Sequence, residues 1–383
     1  MSGTSIAGVF AWEALDSRGN PTVACEVRLD GGARGVATAP SGASTGSHEA
    51  HELRDGGGRY GGKGVRRAVA NAAGELAEAV RGLDAHDQDA VDRALLTADG
   101  TPNVGRLGAN ATLAISIAVA LAAAGADRLP LYRHLQGGGA GPLLPLPMVN
   151  VISGGAHAGG AVDVQDFLVV PRGAESFAEA VEWAWRVRRA TAELVAERGL
   201  PAALVADEGG LGPPLSSNRE ALDLLALGIE RTGLRPMDQV AIAVDVAATQ
   251  LATDGGYRLA REQRTLGAAE LVAELAGWCR THPVVSIEDP LAEDDWDGWR
   301  QVTAELAEIQ LLGDDVFVTD LDRLQRGIEE GVANAVLVKP NQTGTLSAAA
   351  RVVRRAREAG LATVVSARSG DTEDSWLSDL AVG

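Results

Sequence analysis

The stretch Leu337-Val338-Lys339-Pro340-Asn341-Gln342 contains the feature from which the fold can be predicted, a short apolar run followed by a lysine. The run Ala335–Val338 is typical of a buried strand, and it brings Lys339 to the C-terminal end of that strand. Lysine and arginine together number 34, yet only Lys63 and Lys339 are lysines. Because a desolvated lysine can release its proton whereas an arginine cannot, Lys339 is a candidate general base. The alternative is a surface lysine without a catalytic role.

Similar apolar runs recur along the second half of the chain and alternate with helical patterns. The predicted strands are Phe167–Val170, Val240–Val244, Val284–Ile287, Ile309–Leu312, Ala335–Val338 and Ala362–Val365. The predicted helices include Phe177–Arg198, Ser217–Thr232 and Leu346–Ala359. Such alternation is typical of a parallel sheet, and the number of units favours a closed β/α barrel. A doubly wound open sheet is the alternative, although no GxGxxG or GxxxxGK[ST] motif occurs at a strand-to-helix turn.

Three of these predicted strands are followed by an acidic residue, namely Asp245, Glu288 and Asp314. The carboxyl ends of parallel strands meet at one mouth of a barrel, where three carboxylates repel one another unless a cation lies between them. Oxygen ligands without histidine or cysteine indicate Mg²⁺ rather than zinc. Each acid alone could be the N-cap of a helix. Together with Lys339, the three favour metal-assisted removal of a proton next to a carboxylate.

The N-terminal part of the chain has a different pattern. Apolar and polar residues alternate between Ser5 and about Ala39, which predicts strands, and Asp16–Pro21 is typical of a turn between two of them. Residues from about Lys63 to Leu135 are rich in alanine and are predicted to be helical. The segment Asn110–Ala124 is apolar all round, which indicates a buried helix.

Two glycine-rich or hydroxyl-rich segments separate these regions. The residues Pro40–Glu49 are small and carry hydroxyl groups, which indicates a mobile loop, and Gly137–Pro142 is typical of a linker. We therefore predict an α+β domain at residues 1–136 and a β/α barrel domain at residues 143–383.

Composition narrows the class of protein. With 383 residues, of which 46% are hydrophobic and 22% charged, the chain is long enough for two globular domains. A formal net charge of −18 argues against a nucleic-acid partner, which requires a basic surface. No window approaches ~18 uninterrupted apolar residues, and the first residues lack a signal-peptide pattern. The cysteines, Cys25 and Cys279, lack metal-site spacing, so we predict a reducing, cytoplasmic location away from membranes.

Eight short segments make the sequence resemble the enolases (phosphopyruvate hydratases) over nearly its whole length. They are Asp16–Thr22, Ser41–Gly46, Gly154–Ala158, Asp207–Gly210, Ser286–Asp289, Gly313–Asp315, Lys339–Gln342 and Arg368–Gly370. The resemblance implies an N-terminal α+β domain packed on an enolase-type TIM-like barrel, with an essential Mg²⁺ and a small phospho-carboxylate substrate. It also implies a homodimer or higher homo-oligomer, because Asp16–Thr22 falls where enolases make part of their dimer contact.

The resemblance further implies a role for individual residues. The implied metal ligands are Asp245, Glu288, Asp314 and, on the mobile loop, Ser44. The implied catalytic residues are Lys339, which removes the C2 proton, Glu208, which assists loss of the C3 hydroxyl, and Asp166, which shares a proton network with Glu208. The implied substrate-binding residues are His157, Gln165, Arg368 and Ser369. A bidentate arginine beside a hydroxyl suits the phosphate dianion.

Four departures from the enolase pattern concern the exact reaction. Asp166 stands where the family has a glutamate, Ala367 where it has a histidine, and Ser153 where it has an asparagine. The family's last strand–helix unit, with a lysine for the substrate carboxylate, has no counterpart, and a barrel without that unit has two unpaired strand edges.

Three functions follow from this pattern of retained and altered residues. The first is the enolase reaction, from 2-phosphoglycerate to phosphoenolpyruvate and water. The second is a related reaction on a phosphono-carboxylate, as in the carboxyphosphonoenolpyruvate synthases of phosphonate biosynthesis. The third is a non-catalytic, enolase-like binding protein. The retained metal ligands and Lys339 favour the first two, and Ala367 favours the last two.

Overall fold

The computed structural model describes residues 3–43, 45–136 and 141–383. Ser44, an implied metal ligand, therefore lies outside the described residues. So do residues 137–140 of the predicted linker Gly137–Pro142.

The N-terminal part consists of a three-stranded antiparallel sheet covered by helices. The strands, in the order β1-β2-β3, are β1 (Ile6–Leu15), β2 (Pro21–Leu29) and β3 (Arg34–Thr38). The helices are α1 (Arg66–Asn71), α2 (Ala77–Val80), α3 (Gln88–Asp99), α4 (Ala109–Asp127) and α5 (Leu131–Gln136). A π-helical segment, Ala72–Leu76, joins the first two. Asp16 shapes the turn between β1 and β2, because its Oδ1 accepts the backbone N–H groups of Arg18 and Asn20, each at 2.9 Å.

Helix α4 forms the centre of the N-terminal core, as its uninterrupted apolar surface predicts. It packs against β2 and β3, and a Cβ atom at Gly35 on β3 would lie only 2.1 Å from the carbonyl oxygen of Ala118. Glycine therefore permits the close approach of strand and helix. By length and composition α4 could cross a membrane, but 83% of its most apolar window is buried inside the protein.

The C-terminal part contains a curled seven-stranded sheet. Its strands are β4 (Val149–Ser153), β5 (Asp166–Val170), β6 (Ala241–Asp245), β10 (Val284–Glu288), β11 (Gln310–Gly313), β12 (Ala335–Val338) and β13 (Ala362–Val365). A small antiparallel sheet, β7 (Ala252–Thr253), β8 (Gly256–Leu259) and β9 (Arg264–Leu266), is inserted after β6. The helices are α6 (Phe177–Glu197), α7 (Asn218–Arg231), α8 (Ala268–Thr281), α9 (Trp296–Glu305), α10 (Leu321–Glu330), α11 (Leu346–Glu358) and α12 (Trp376–Val382).

The strands of the large sheet lie beside one another in the order in which they occur along the chain, from β4 to β13. This order excludes the doubly wound alternative. The prediction that all strands are parallel was wrong for β5, which is antiparallel to both β4 and β6. The reason is local: the connection between β4 and β5, residues 154–165, contains one helical turn, Gly155–Ala158, but no α-helix of the kind that usually forms the crossover of a parallel pair.

Two large hydrophobic cores and two small apolar clusters lie within the described residues. The larger one lies between the seven-stranded sheet and its helices, and includes the fully buried Trp299, Phe167 and Phe317. The second lies between the N-terminal sheet and α1–α4. The side chain of Trp376, at the start of α12, is buried in the second core, and the backbone N–H of Tyr132 donates to Asp379 at 3.2 Å. The last helix therefore packs on the N-terminal part, at α5, and also lies against β13 of the sheet that precedes it.

Candidate active site

The predicted site residues lie at one rim of the seven-stranded sheet. β6, β10, β11 and β12 are parallel, so their C-terminal ends share this rim, and Glu288 is the register partner of both Asp245 and Leu312. On the other side, Asp245 is the register partner of Asp166. Because β5 is antiparallel, its first residue reaches the rim at which its neighbour ends. The reversed strand thus adds a carboxylate to the acidic residues of the parallel strands.

Lys339 lies directly after β12, and its ammonium group is paired with Asp314. The Nζ atom donates to Oδ2 of Asp314 at 2.5 Å, and Nε2 of Gln342 donates to Oδ1 at 2.8 Å. Oε1 of Gln342 in turn accepts from Thr319 Oγ1 at 2.6 Å, and this hydroxyl oxygen accepts the backbone N–H of Lys339 at 2.9 Å. The helical turn Pro340–Gln342 after the strand brings these groups together. Both oxygens of Asp314 are therefore held.

The protonation of Lys339 differs from the expectation for a desolvated base. Burial lowers the pKa of Lys339, but the attraction of Asp314 and Glu288 outweighs burial and holds the pKa above its ordinary value. Burial raises the pKa of Asp314, but Lys339 and Arg368 outweigh it and hold the pKa below its usual value. Desolvation by itself therefore does not free this lysine of its proton, and its role as a general base stays a prediction. The partner carboxylate decides the protonation state.

The carboxylates of Asp245 and Glu288 differ in their hydrogen bonds. Oδ2 of Asp245 accepts from Gln165 Nε2 at 2.9 Å, and its Oδ1 accepts the backbone N–H of Ala247 at 3.0 Å. Within the described parts of the chain, no group donates a hydrogen bond to the carboxylate of Glu288. Burial, reinforced by neighbouring carboxylates, raises the pKa of Asp245 to about 8 and that of Glu288 well above its usual range.

These carboxylates fit a divalent cation. Buried carboxylates that repel one another, one of them without a hydrogen-bond donor, provide the oxygen ligands that a hard cation requires. Asp245, Glu288 and Asp314 are the residues that could hold it, although among the described residues these three are not a group whose ligand oxygens all lie within 4.8 Å of one another. A further acidic group lies beside them: ligand oxygens of Asp289, Asp314 and Asp315 all lie within 4.8 Å of one another.

Asp289 has a structural task at this rim. Its Oδ1 accepts the backbone N–H of Asp314 at 3.0 Å, and its Oδ2 accepts that of Asp315 at 2.8 Å. Asp289 itself has a positive φ of 40°, which turns the chain after Glu288 so that its side chain reaches the next strand end. Its carboxylate therefore fixes the turn after β11 from which the side chain of Asp314 enters the site.

A second group of residues faces the metal-ligand candidates from β4 and β5. His157 Nδ1 lies 2.6 Å from Asp166 Oδ2, and His157 Nε2 lies 3.8 Å from Glu208 Oε1. Burial lowers the pKa of His157, but Asp166 and Glu208 outweigh it and raise this pKa to about 9. Burial and the charge of Asp166 raise the pKa of Glu208. The imidazolium thus lies between a carboxylate and a carboxyl group that tends to keep its proton.

Glu208 reaches the site from a helical turn, Asp207–Gly209, in a strained conformation. Its φ of 63° is in the left-handed region, which non-glycine residues rarely adopt. The guanidinium group of Arg188 on α6 donates to the carbonyl oxygen of Gly209 at 3.0 and 2.8 Å and so supports the turn from outside.

Arg368 is buried and paired with a glutamate of the predicted mobile loop. Its Nη1 and Nη2 lie 3.0 and 3.2 Å from the two carboxylate oxygens of Glu49, and its Nη1 lies 3.4 Å from Oδ1 of Asn341. Oγ of Ser369 accepts the backbone N–H of Ala43 at 2.7 Å. The loop is further attached by Ser47, whose N–H and Oγ both donate to Glu293, at 3.0 and 2.5 Å. The described part of the loop is thus docked on the rim of the barrel.

One cavity of about 60 Å³ brings most of the predicted residues together. Its lining includes His157, Gln165, Asp166, Glu208, Asp245, Glu288, Lys339, Arg368 and Ser369. Asp314 is held against Lys339 at the edge of this group. An ammonium group, a carboxyl group with a raised pKa and a set of carboxylate oxygens therefore face a common space, which is an arrangement that could move a proton beside a stabilised negative charge.

Sequence reasoning missed several residues that hold the site in place. Asn150 donates to Asp166, Glu49 accepts from Arg368, and Gln250 donates to Gln165 at 2.9 Å. Thr319 connects Lys339 with Gln342. The sequence contains no local signal for these contacts, because each joins segments that are distant along the chain.

Comparison with known proteins gives matches along nearly the whole chain. A family model described as "Enolase, N-terminal domain" matches residues 6–135, and one described as "Enolase, C-terminal TIM barrel domain" matches residues 142–383. The chain is 52% identical over 381 residues to an enolase from Rubrobacter xylanophilus (strain DSM 9941 / JCM 11954 / NBRC 16129 / PRD-1), with 99% of this chain and 88% of that protein covered. These matches confirm the predicted barrel with an N-terminal α+β domain.

Proposed function

The chain belongs to the enolase family, and from this premise we propose that it is a Mg²⁺-dependent lyase that converts 2-phosphoglycerate to phosphoenolpyruvate and water. Family membership confirms the predicted enzyme class, a lyase of the enolase superfamily. Membership in a family of lyases argues against the non-catalytic alternative. The comparisons give no support to the phosphonate alternative.

The observation that carries the proposal is the cavity at the rim of the sheet. Lys339, directly after β12, and Glu208, on the turn Asp207–Gly209, line the same cavity, and the carboxylates of Asp245 and Glu288 line it too. A base, an acid and anionic oxygen ligands around one small space suit an elimination in which a proton and a hydroxyl group leave neighbouring carbon atoms.

In the first step, Nζ of Lys339 takes the proton from C2, and the electron pair of the C2–H bond is delocalised onto the substrate carboxylate. Lys339 must be neutral for this step, and the charge of Asp314 is what holds its proton. A Mg²⁺ ion held by Asp245, Glu288 and Asp314 would compensate that charge and stabilise the charge on the substrate carboxylate.

In the second step, the delocalised pair forms the C2–C3 double bond while the bond between C3 and its hydroxyl oxygen breaks. Glu208 gives its proton to the leaving hydroxyl group, which departs as water. The raised pKa of Glu208 supports this role, because the group then holds a proton before the step. His157 and Asp166 face Glu208 and orient it. Solvent afterwards takes the proton from Lys339 and returns one to Glu208.

The phosphate group is proposed to bind at Arg368 and Ser369. Arg368 is buried and offers two parallel N–H groups, which at present contact Glu49. A phosphate dianion competes with this carboxylate for the guanidinium group, so substrate binding is coupled to the loop that carries Glu49. Gln165, which is bonded to Asp245, is proposed to contact the substrate from the side of β5. Ser44, as a ligand of a second metal ion, completes the proposed set.

We also propose the organisation predicted from the sequence. The division into residues 1–136 and 143–383 is supported by the two large hydrophobic cores, because the second is formed mainly by residues before 136, with Leu346 and Trp376 added from the C-terminal part. A homodimer or higher homo-oligomer is supported by exposed apolar residues on β1, where Phe10, Trp12 and Leu15 are 49%, 41% and 58% exposed. A cytoplasmic location follows from the cysteine pattern.

The decisive experiment measures exchange of the C2 proton and appearance of the enolpyruvate absorbance in the presence of Mg²⁺. Lys339→Ala should abolish both. Lys63→Ala, the change of the only other lysine in the sequence, should leave both unchanged, because Lys63 is exposed and its ammonium group donates to the side chain of Asn20, away from the site. Absence of exchange in the wild-type protein at high enzyme concentration would refute the proposal. Exchange of the C2 proton without formation of enolpyruvate would support Lys339 as the base but would refute the proposed elimination of water.

A further inference from the structure

Two polar residues of β4 contact the carboxylate of Asp166, and neither has a role in the mechanism above. Nδ2 of Asn150 donates to Oδ1 of Asp166 at 2.5 Å, and Oγ of Ser153 donates to the same oxygen at 2.8 Å. Nδ2 of Asn150 also donates to Oγ of Ser153 at 2.9 Å. We infer that Asn150 and Ser153 are positioning residues, which fix Asp166 and through it the orientation of His157 toward Glu208.

The hydrogen bonds divide the two oxygens of Asp166 between two tasks. Among the described residues, the donors to Oδ1 both lie on β4, and Oδ2 lies 2.6 Å from His157 Nδ1. With two donors on Oδ1, the carboxylate plane cannot rotate without breaking hydrogen bonds that are shielded from solvent. Asn150, Ser153, His157 and Asp166 are all at most 8% exposed. The carboxylate is therefore held with Oδ2 toward the imidazole, so that Nδ1 donates and Nε2 faces Glu208.

The strand pairing explains why β4 can hold both Asp166 and the turn that carries Glu208. Ser153 is the register partner of Asp166. The backbone N–H of Ser153 donates to the carbonyl oxygen of Leu211 at 2.8 Å, just after the turn that carries Glu208. A Cβ atom at Gly210 would lie 2.2 Å from Oγ of Ser153, so this turn packs directly on the serine hydroxyl. The end of β4 thus sets the separation between Asp166 and the Glu208 turn.

Asn150 provides a second, independent observation. Its Oδ1 is buried and has no hydrogen-bond partner among the described residues. An unsatisfied buried amide oxygen costs stability, so packing alone does not account for an asparagine here. The amide is oriented by its donor group, because the opposite orientation would bring Oδ1 against the carboxylate of Asp166. The side chain of Asn150 therefore holds the carboxylate of Asp166 and is not explained by packing in the core.

The test compares Ser153→Ala and Asn150→Asp with Ser116→Ala. Asn150→Asp keeps the shape of the side chain but replaces the donor with a second carboxylate beside Asp166. Ser116 is a matched control: its Oγ is fully buried and accepts from Gln88 and from the backbone N–H of Leu346, at 3.1 and 3.0 Å, away from the site. All three proteins are first compared by thermal unfolding, so that rates refer to folded enzyme.

The first readout is the nuclear magnetic resonance signal of the His157 Nδ1 proton, which needs no turnover. We expect a slowly exchanging, downfield signal in the wild type and in Ser116→Ala, and a shifted or broadened one in Ser153→Ala and Asn150→Asp. If both β4 variants keep the wild-type signal, the inference is refuted, whether or not the protein is an enolase.

The second readout is steady-state kinetics, and this part rests on the proposed function. Both β4 variants should lower kcat by about ten- to a hundred-fold, the range typical of outer residues that orient a functional group, while KM changes by less than about three-fold. Ser116→Ala should change neither constant. An inactive wild type would refute the proposed function and leave the first readout to decide the inference. An active wild type with unchanged kcat in both β4 variants would refute the inference alone.

Discussion

The pKa of His157 leads to a prediction about the stability of the whole protein. Burial lowers this pKa, but Asp166 and Glu208 raise it from 6.5 to about 9 in the folded state. The folded protein therefore binds this proton more tightly than the unfolded chain does. The resulting stabilisation is complete below pH 6.5 and is lost as the pH rises through about 9. At roughly 1.4 kcal/mol per pH unit, it amounts to about 3 kcal/mol of unfolding free energy.

Urea unfolding in EDTA at pH 6 and at pH 10 measures this contribution. The wild type should lose about 3 kcal/mol more between the two pH values than His157→Gln, because ionisations common to both proteins cancel in the difference. EDTA excludes stabilisation by bound cations. Equal losses in the two proteins would show that the imidazole is neutral beside Asp166, and would refute the assignment of an imidazolium at this position.

Further predictions concern the metal ligands, the core and the cysteines. In denaturation experiments, Mg²⁺ at about a hundred times its dissociation constant should raise the unfolding free energy by about 3 kcal/mol above the value measured in EDTA. Glu288→Gln should remove most of this increase. An equal increase in both proteins would contradict the assignment of Glu288 as a metal ligand. Trp299→Ala should cost about 3–5 kcal/mol in urea unfolding, because Trp299 is fully buried in the barrel core, and a cost below about 1 kcal/mol would contradict that packing. The thiols of Cys25 and Cys279 should react with Ellman's reagent at pH 8 only slowly until the protein is denatured, because burial raises both pKa values; rapid labelling of native Cys25 would contradict its burial.

The positions of the strands and helices in the barrel were predictable because each has a distinct apolar pattern. The strands predicted at Ala335–Val338 and Ala362–Val365 have these bounds in the structure. The helix predicted at Phe177–Arg198 extends over Phe177–Glu197. Ala335–Val338 is buried on both faces, whereas Ala362–Val365, at the edge of the sheet, is partly exposed. Both are uninterrupted apolar runs, so they can be recognised without knowledge of their neighbours. The acidic residues that follow three of the predicted strands, Asp245, Glu288 and Asp314, could therefore be placed at a common rim of the barrel.

Other features depended on contacts that local sequence does not encode. The direction of β5 follows from the short connection after β4, and β4 itself was not predicted. The positive φ of Glu208 occurs at a residue type that gives no sign of it. The protonation of Lys339 depends on its distance from Asp314, which lies 25 residues away along the chain. Distances of this kind decide the chemistry of the site, and only the folded chain contains them.

The reversed direction of β5 has a consequence for how such a site can change over evolution. Because β4 and β5 form a hairpin, the continuous segment from Asn150 to Asp166 supplies one wall of the cavity, including His157. The opposite wall, with Glu288 and Lys339, is assembled from strands distributed over the rest of the barrel. Substitutions within this single short segment can therefore change the residues that face Glu208, while the residues proposed to bind the cation stay the same. The serine and the aspartate that distinguish this chain from the enolase pattern both lie in that segment.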